Sequence, residues 1–184
     1  MKGFDYYVKK SGDFHGHACA GIALGTKITM AAMQALGLDP EKKNKNLIVY
    51  TEIDRCMTDA VQAITGCTLG HRSLKHADYG KFAATFVNTD TGKAVRATIP
   101  EHISNEATIE ETLCKISHIP DNELVMLQEV TVQIPETDLP GSPREKAVCA
   151  SCGERVVDGR QVKKGGKTLC KSCAGNSYFQ KIVR

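Results

Sequence analysis

Residues 47–66 read LIVYTEIDRCMTDAVQAITG, and the change of pattern inside them decides the fold class. Leu47 to Ile53 is rich in β-branched side chains, which suit a pleated surface, and reads as a strand ending at Asp54. A helix is expected to follow at once. Asp54 is a good N-cap, since its carboxylate accepts from the unpaired N–H groups of a first turn, Arg55 to Thr65 is a helical run, and Gly66 stands where a left-handed C-cap belongs.

Upstream, His17 to Leu36 carries an imperfect helical stripe of Ile22, Ile28, Met33 and Leu36, closed by Gly37 and Pro40. Gly21, Gly25 and Thr29, spaced by four, give this helix a narrow small-residue face, suited to close approach of another backbone or a ligand and equally to ordinary helix packing. Downstream, Lys81 to Asn88 and Lys93 to Ile99 alternate as strands, joined by the hairpin loop Thr89-Asp90-Thr91-Gly92. Asn105 to His118 reads as a helix, and Leu124 to Ile134 as a helical turn merging into a strand. The sum is an α+β fold, with a mixed helix/sheet core domain over residues 1–140. Pro135, Pro140, Gly141, Ser142 and Pro143 mark a linker, and residues 141–184 hold a small cysteine-rich module.

At 184 residues the chain has room for one ordinary core and one satellite. Hydrophobic residues at 41% and charged residues at 24% are near the averages of soluble globular proteins and suggest neither a disordered chain nor a membrane protein. The longest apolar-leaning stretch, Ala18 to Leu38, is broken by Thr26, Lys27, Thr29 and Gln34, and Met1 to Asp13 has no apolar run of signal length. The expectation is a cytoplasmic protein without a membrane partner. Charge is uneven: residues 144–184 carry 10 Lys/Arg against 3 Asp/Glu, leaving 14 against 18 in residues 1–143. A basic tail follows an acidic body.

Cys149, Cys152, Cys170 and Cys173 form C-x2-C-x17-C-x2-C. Each pair lets two sulfurs of one tight turn reach a single ion, and four thiolates close a tetrahedral Zn2+ shell with no open position for chemistry. A structural zinc, which a segment this short needs to fold, is expected in preference to a rubredoxin-like iron site or a redox dithiol pair. Arg155 to Val157 and Lys167 to Leu169 are expected to form a hairpin, and Cys170 to Ile182 a closing helix, in treble-clef-like order. Lys163, Lys164, Lys167 and Lys171 are read as a solvated surface in preference to a nucleic-acid interface.

A second constellation lies near the start. His15, His17 and Cys19 stand within five residues, and Gly16 lets the backbone turn so that they converge. Cys56 falls in the first turn of the second helix, where free N–H groups favour a thiolate, and can join His17 and Cys19 as a third ligand of an ion that keeps one position open. His17, Cys19 and Cys56 are thus the candidate catalytic residues and metal ligands, with His15 as a further candidate, Cys67 as another that either lies nearby or is buried packing, and a second Zn2+ as the expected cofactor. Asp54, Asp59 and Gln62 are candidates for hydrogen bonds to the ligands. His71, Arg72, Lys75, His76, Tyr79 and Lys81 form a basic, polar stretch, either a wall that attracts an anionic substrate or a solvated loop. Cys114, beside Leu113 and Ile116, is expected in the core.

Phe14-His15-Gly16-His17-x-Cys19-x-Gly21, then Glu52 to Gln62, Thr65-Gly66-Cys67-Thr68-Leu69-Gly70 and Asp78-Tyr79-Gly80-Lys81, resemble the FmdE family associated with formylmethanofuran dehydrogenase, over most of residues 10–135. The resemblance implies an α+β core, a dimer, and a metal-associated Cys/His cleft at His17, Cys19 and Cys56, with His15 and Cys67 close by. It also implies a place in or beside a molybdenum- or tungsten-dependent one-carbon redox system of the methanogenesis-related kind, with components of that oxidoreductase as partners. Ala20 stands where the family usually has proline, which loosens the turn after Cys19. Two other readings stay open: a stand-alone thiol or metal enzyme, such as a hydrolase with Cys56 as nucleophile, and a regulatory or nucleic-acid-binding zinc-finger protein.

Overall fold

The computed structural model describes residues 2–100 and 108–182. It divides into two compact units, Met1–Gln133 and Ile134–Arg184.

The first unit begins with a helix that the periodicity did not announce. α1 (Phe4–His15) buries Tyr7, Val8, Ser11 and Gly12, a stripe at helical spacing whose two polar or small members hide it from a hydrophobicity count. Gly16 ends it in the left-handed region at φ 100°. α2 (Ala20–Ala35) starts three residues later than expected, because Cys19 is its N-cap: the Cys19 Sγ accepts from the Ile22 N–H at 3.4 Å. His17 therefore lies in the turn between two helices.

β1 (Leu47–Thr51) leads into α3 (Cys56–Thr65), as the sequence requires. The cap is Arg55 in place of Asp54, its side chain makes no capping bond, and Cys56 is the first residue of the helix. Gly66 closes α3 at φ 72°, its N–H bonded to the Gln62 carbonyl. β2 (Leu74–His76) pairs parallel with β1, so that β1, α3 and β2 make a β-α-β unit. The polar stretch 71–81 thus contains a strand, recognisable only by buried Leu74.

β3 (Ala83–Asn88) and β4 (Ala94–Thr98) are the expected hairpin, with Gly92 at φ 70° in its loop. α4 (Ile109–His118) is opened by a capping box between Thr108 and Glu111; the start expected at Asn105 falls outside the described residues. Leu124 to Ile134 resolves into the end of a short α5 (Asp121–Leu124) and an exposed edge strand, β5 (Met126–Val130). The sheet runs β2-β1-β3-β4-β5, antiparallel except for β1 and β2. Val49, Phe86 and Ala97 of the sheet share one buried cluster with Ile28 and Met33 of α2 and Met57, Val61 and Ile64 of α3.

The second unit starts before the expected linker ends. Asp138, in a single 3-10 turn (Glu136–Asp138), accepts from Arg160 at 2.6 Å, which ties residues 135–140 to the module. The module holds two hairpins where one was expected. β6 (Lys146–Val148) pairs with β7 (Arg155–Val157), and β8 (Val162–Lys164) pairs with β9 (Lys167–Leu169). No closing helix forms over residues 170–182; one turn follows Cys170, and Gly175 at φ 105° ends it.

Candidate metal centres

In the second unit Cys149 and Cys152 sit on the turn after β6, and Cys170 and Cys173 on the turn after β9. All four sulfurs lie within 4.8 Å of one another. A Zn–S bond of about 2.3 Å gives a tetrahedron with edges of about 3.8 Å. Cys152 and Cys170, 4.0 Å apart, fit that figure. Backbone N–H groups of Cys152, Cys170 and Ser151 draw the Cys149 thiol down to about 6. The Glu154 N–H pulls Cys152 the same way, but burial and the thiols of Cys149, Cys173 and Cys170 push it up to about 12. Without a cation the cluster tolerates one thiolate and resists the next, so the donor set fits Zn2+.

The first unit brings His15, His17 and Cys19 together, their ligand atoms again within 4.8 Å of one another. The left-handed Gly16 reverses the chain between α1 and α2, which places the two imidazoles 4.7 Å apart, centroid to centroid. Asp59 of α3 holds His15 from behind, Oδ2 to Nδ1 at 2.7 Å, and the Gln62 side-chain amide donates to Asp59 Oδ1 at 3.1 Å. This leaves Nε2 of His15 free to ligate. A carboxylate behind a histidine fixes its tautomer and ring orientation, and Asp59 and Gln62 stand where such support is needed.

Cys56 lies outside the 4.8 Å group but against Cys19. A methyl placed on Gly21 would stand 3.6 Å from the Cys56 sulfur and 3.7 Å from that of Cys19. Burial and then the Cys19 thiol push Cys56 above its ordinary value, with Asp59 adding to the effect. Two sulfurs at two helix N-termini, with two imidazoles nearby, suit a divalent cation that accepts S and N donors.

Cys67 is elsewhere. It lies in the core, 2% exposed, with its thiol directed at the Leu47 carbonyl 3.5 Å away, and burial raises its pKa. It is 11 positions along from Cys56 at the far end of α3, which corrects its expected place in the cleft. Cys114 is corrected the other way: it is exposed on α4, with His118 Nδ1 at 3.7 Å. Tyr79 and Lys81 bond through their backbones to the Glu52 carbonyl, at the end of β1 from which the chain turns toward Cys56, and Tyr79 is largely exposed.

Comparison with known proteins places this geometry. Residues 14–134 match the family model described as "FmdE, Molybdenum formylmethanofuran dehydrogenase operon". The chain belongs to the FmdE family. Residues 143–178 of this FmdE-family chain match the prokaryotic dksA/traR C4-type zinc finger. Over 96% of its length it superposes on 95% of a tungsten formylmethanofuran dehydrogenase FmdE-like protein from Syntrophus aciditrophicus, with a TM-score of 0.66 and 25% identity. It is also 32% identical, over 90% of its length, to a probable S-adenosyl-L-methionine-binding protein of Archaeoglobus fulgidus. The chain spans about half, 52%, of that relative. No helix among the described residues is long and apolar enough to cross a membrane.

One element beside the site, α1, escaped sequence reading. α1 forms its outer wall, and the only trace of it is the 7, 8, 11, 12 spacing. The His15–Asp59 bond gives Asp59 the hydrogen bond to a candidate ligand that the sequence allowed it, with a partner 44 residues away.

Proposed function

We propose that this FmdE-family chain is a metal-binding protein that holds Zn2+ at His17, Cys19 and Cys56, with His15 beside them, and acts in or beside a molybdenum- or tungsten-dependent one-carbon redox system. The observation that carries the proposal is the convergence of His15, His17 and Cys19, with the Cys56 thiol packed against Cys19. A bound Zn2+ supplies Lewis acidity toward a carbonyl or a coordinated water. The chain's own residues do the rest: Asp59 orients His15, Gln62 steadies Asp59, and Gly21 leaves room for both thiols. The raised pKa of Cys56 weighs against the rival reading of a free thiolate nucleophile.

Elemental analysis of the full chain tests this. Two zinc ions per chain are expected, falling to one in Cys19→Ser and in His17→Ala. Asp59→Asn is expected to weaken the body ion by about 10- to 100-fold while leaving the tail ion in place. One ion in the wild type, unchanged by Cys19→Ser, would confine metal to the tail and end the proposal.

Alignment of the Archaeoglobus relative over 90% of this chain favours a second reading, in which the body binds S-adenosyl-L-methionine. Calorimetric titration of the zinc-loaded chain with that compound decides it: saturable binding supports the reading, and no heat removes it.

A further inference from the structure

We propose that the groove between α1 and α4 is the ligand channel of the body metal centre, and that it takes small molecules with a metal-coordinating head and an uncharged, apolar body. The inference rests on the metal site proposed above and names the class of ligand that site receives. The groove has a volume of about 640 Å3, which falls in the range of small-molecule sites. Its floor is Val8 and Gly12, both buried, and Phe4 and Leu113 supply apolar walls. His17 lines one end.

His17 belongs to both constellations: it is a wall of the groove and one of the three converging metal-ligating residues, and it is exposed. A head group coordinated beside His17 therefore has this open groove as the adjoining space for its remaining atoms. Charge selects the body of the ligand. Lys9 and Asp13 pair across one helical turn at 2.6 Å and cancel, which leaves the lining with one excess negative charge, from Asp5. Phosphates and carboxylates are disfavoured along the groove, and the apolar floor offers an uncharged chain burial.

Straight-chain hydroxamic acids test the channel, since the head is constant and the tail grows by methylenes. Calorimetry on the zinc-loaded full chain, with metal content measured on the same samples, is the experiment. Acetohydroxamate is expected to bind, and each further methylene up to octanohydroxamate to tighten binding by about two- to fourfold. Leu113→Lys is expected to abolish the dependence on chain length, leaving metal content and acetohydroxamate affinity unchanged. Cys114→Arg, at an exposed position on the same wall, makes the same test without risk to the core. Two ions per chain with acetohydroxamate bound but a flat series would overturn the channel and leave the metal site standing. So would an equal chain-length dependence in Cys19→Ser. Two ions with no acetohydroxamate binding would show a closed site and overturn the channel, and one ion per chain would remove both proposals together.

Discussion

At the scale of single residues, thiol chemistry here is decided by neighbours and not by residue type. Eight cysteines share one chain, and their surroundings separate them: four crowd a tail cluster, two face each other at helix N-termini, Cys114 is exposed and Cys67 is sealed in the core. Burial raises Cys67 above its ordinary value of 9.0. The unfolded chain then loses this proton at a lower pH than the folded one. Its contribution to stability is complete below about pH 9 and is lost as pH rises through the folded value. The expected outcome is a urea midpoint that falls between pH 8 and pH 10, and that falls less steeply in Cys67→Ala; equal slopes in the two proteins would show that Cys67 does not titrate on unfolding. The sequence marked Cys67 by its place beside Cys56 and Gly66, but nothing local says whether a cysteine just past a helix turns toward a cleft or a core. The Leu47 carbonyl that receives it is 20 residues away.

At the scale of elements, the site exists because α2 and α3 approach closely. Gly25 faces the backbone of α3: a methyl there would meet the Met57 Cα at 2.8 Å and the Ala60 Cβ at 3.0 Å. Alanine raises intrinsic helix stability by about 1 kcal/mol over glycine, yet overpacking against backbone costs about 1–3 kcal/mol. Gly25→Ala is therefore expected to lower the unfolding free energy, measured by denaturant titration, and an increase would show that the helices separate freely. The small-residue face was legible as a spacing, and its purpose is helix packing that extends, at Gly21, to room for two sulfurs. The β1–α3 junction and the β3–β4 hairpin were legible too, because local chemistry sets both: β-branched residues before a helical run, and Gly92 in the loop. α1, β2 and the pairing inside the tail were not. α1 is held by packing of Tyr7 and Val8 against distant elements, and β2 is three residues whose strand character comes from pairing with β1.

At the scale of the whole chain, the two units differ in how much apolar core they have to fold with. The body has a hydrophobic cluster that runs from α1 to α5, with Tyr7, Phe86 and Ile116 fully buried. The tail has short strands, few buried residues and the four-sulfur cluster, so its folding free energy is largely metal-binding free energy. Chelation at neutral pH is expected to open residues 134–184 to limited proteolysis while residues 1–133 persist. First cleavage within the body would contradict this division. Cysteine spacing made the tail's ion plain from the sequence alone, because both pairs are local. The body's candidate ligands were named but not their geometry, since Cys56 reaches Cys19 only through the packing of α3 on α2.

The body's candidate donors all precede residue 60, and the tail's all follow residue 148. Each candidate donor set thus lies on one uninterrupted stretch of chain. A ribosome releases the first set long before the second, so the body's donors can meet while the tail is still being synthesised. A gene that gains or loses everything after the body exchanges a segment that carries its own donor set, and leaves the other set whole.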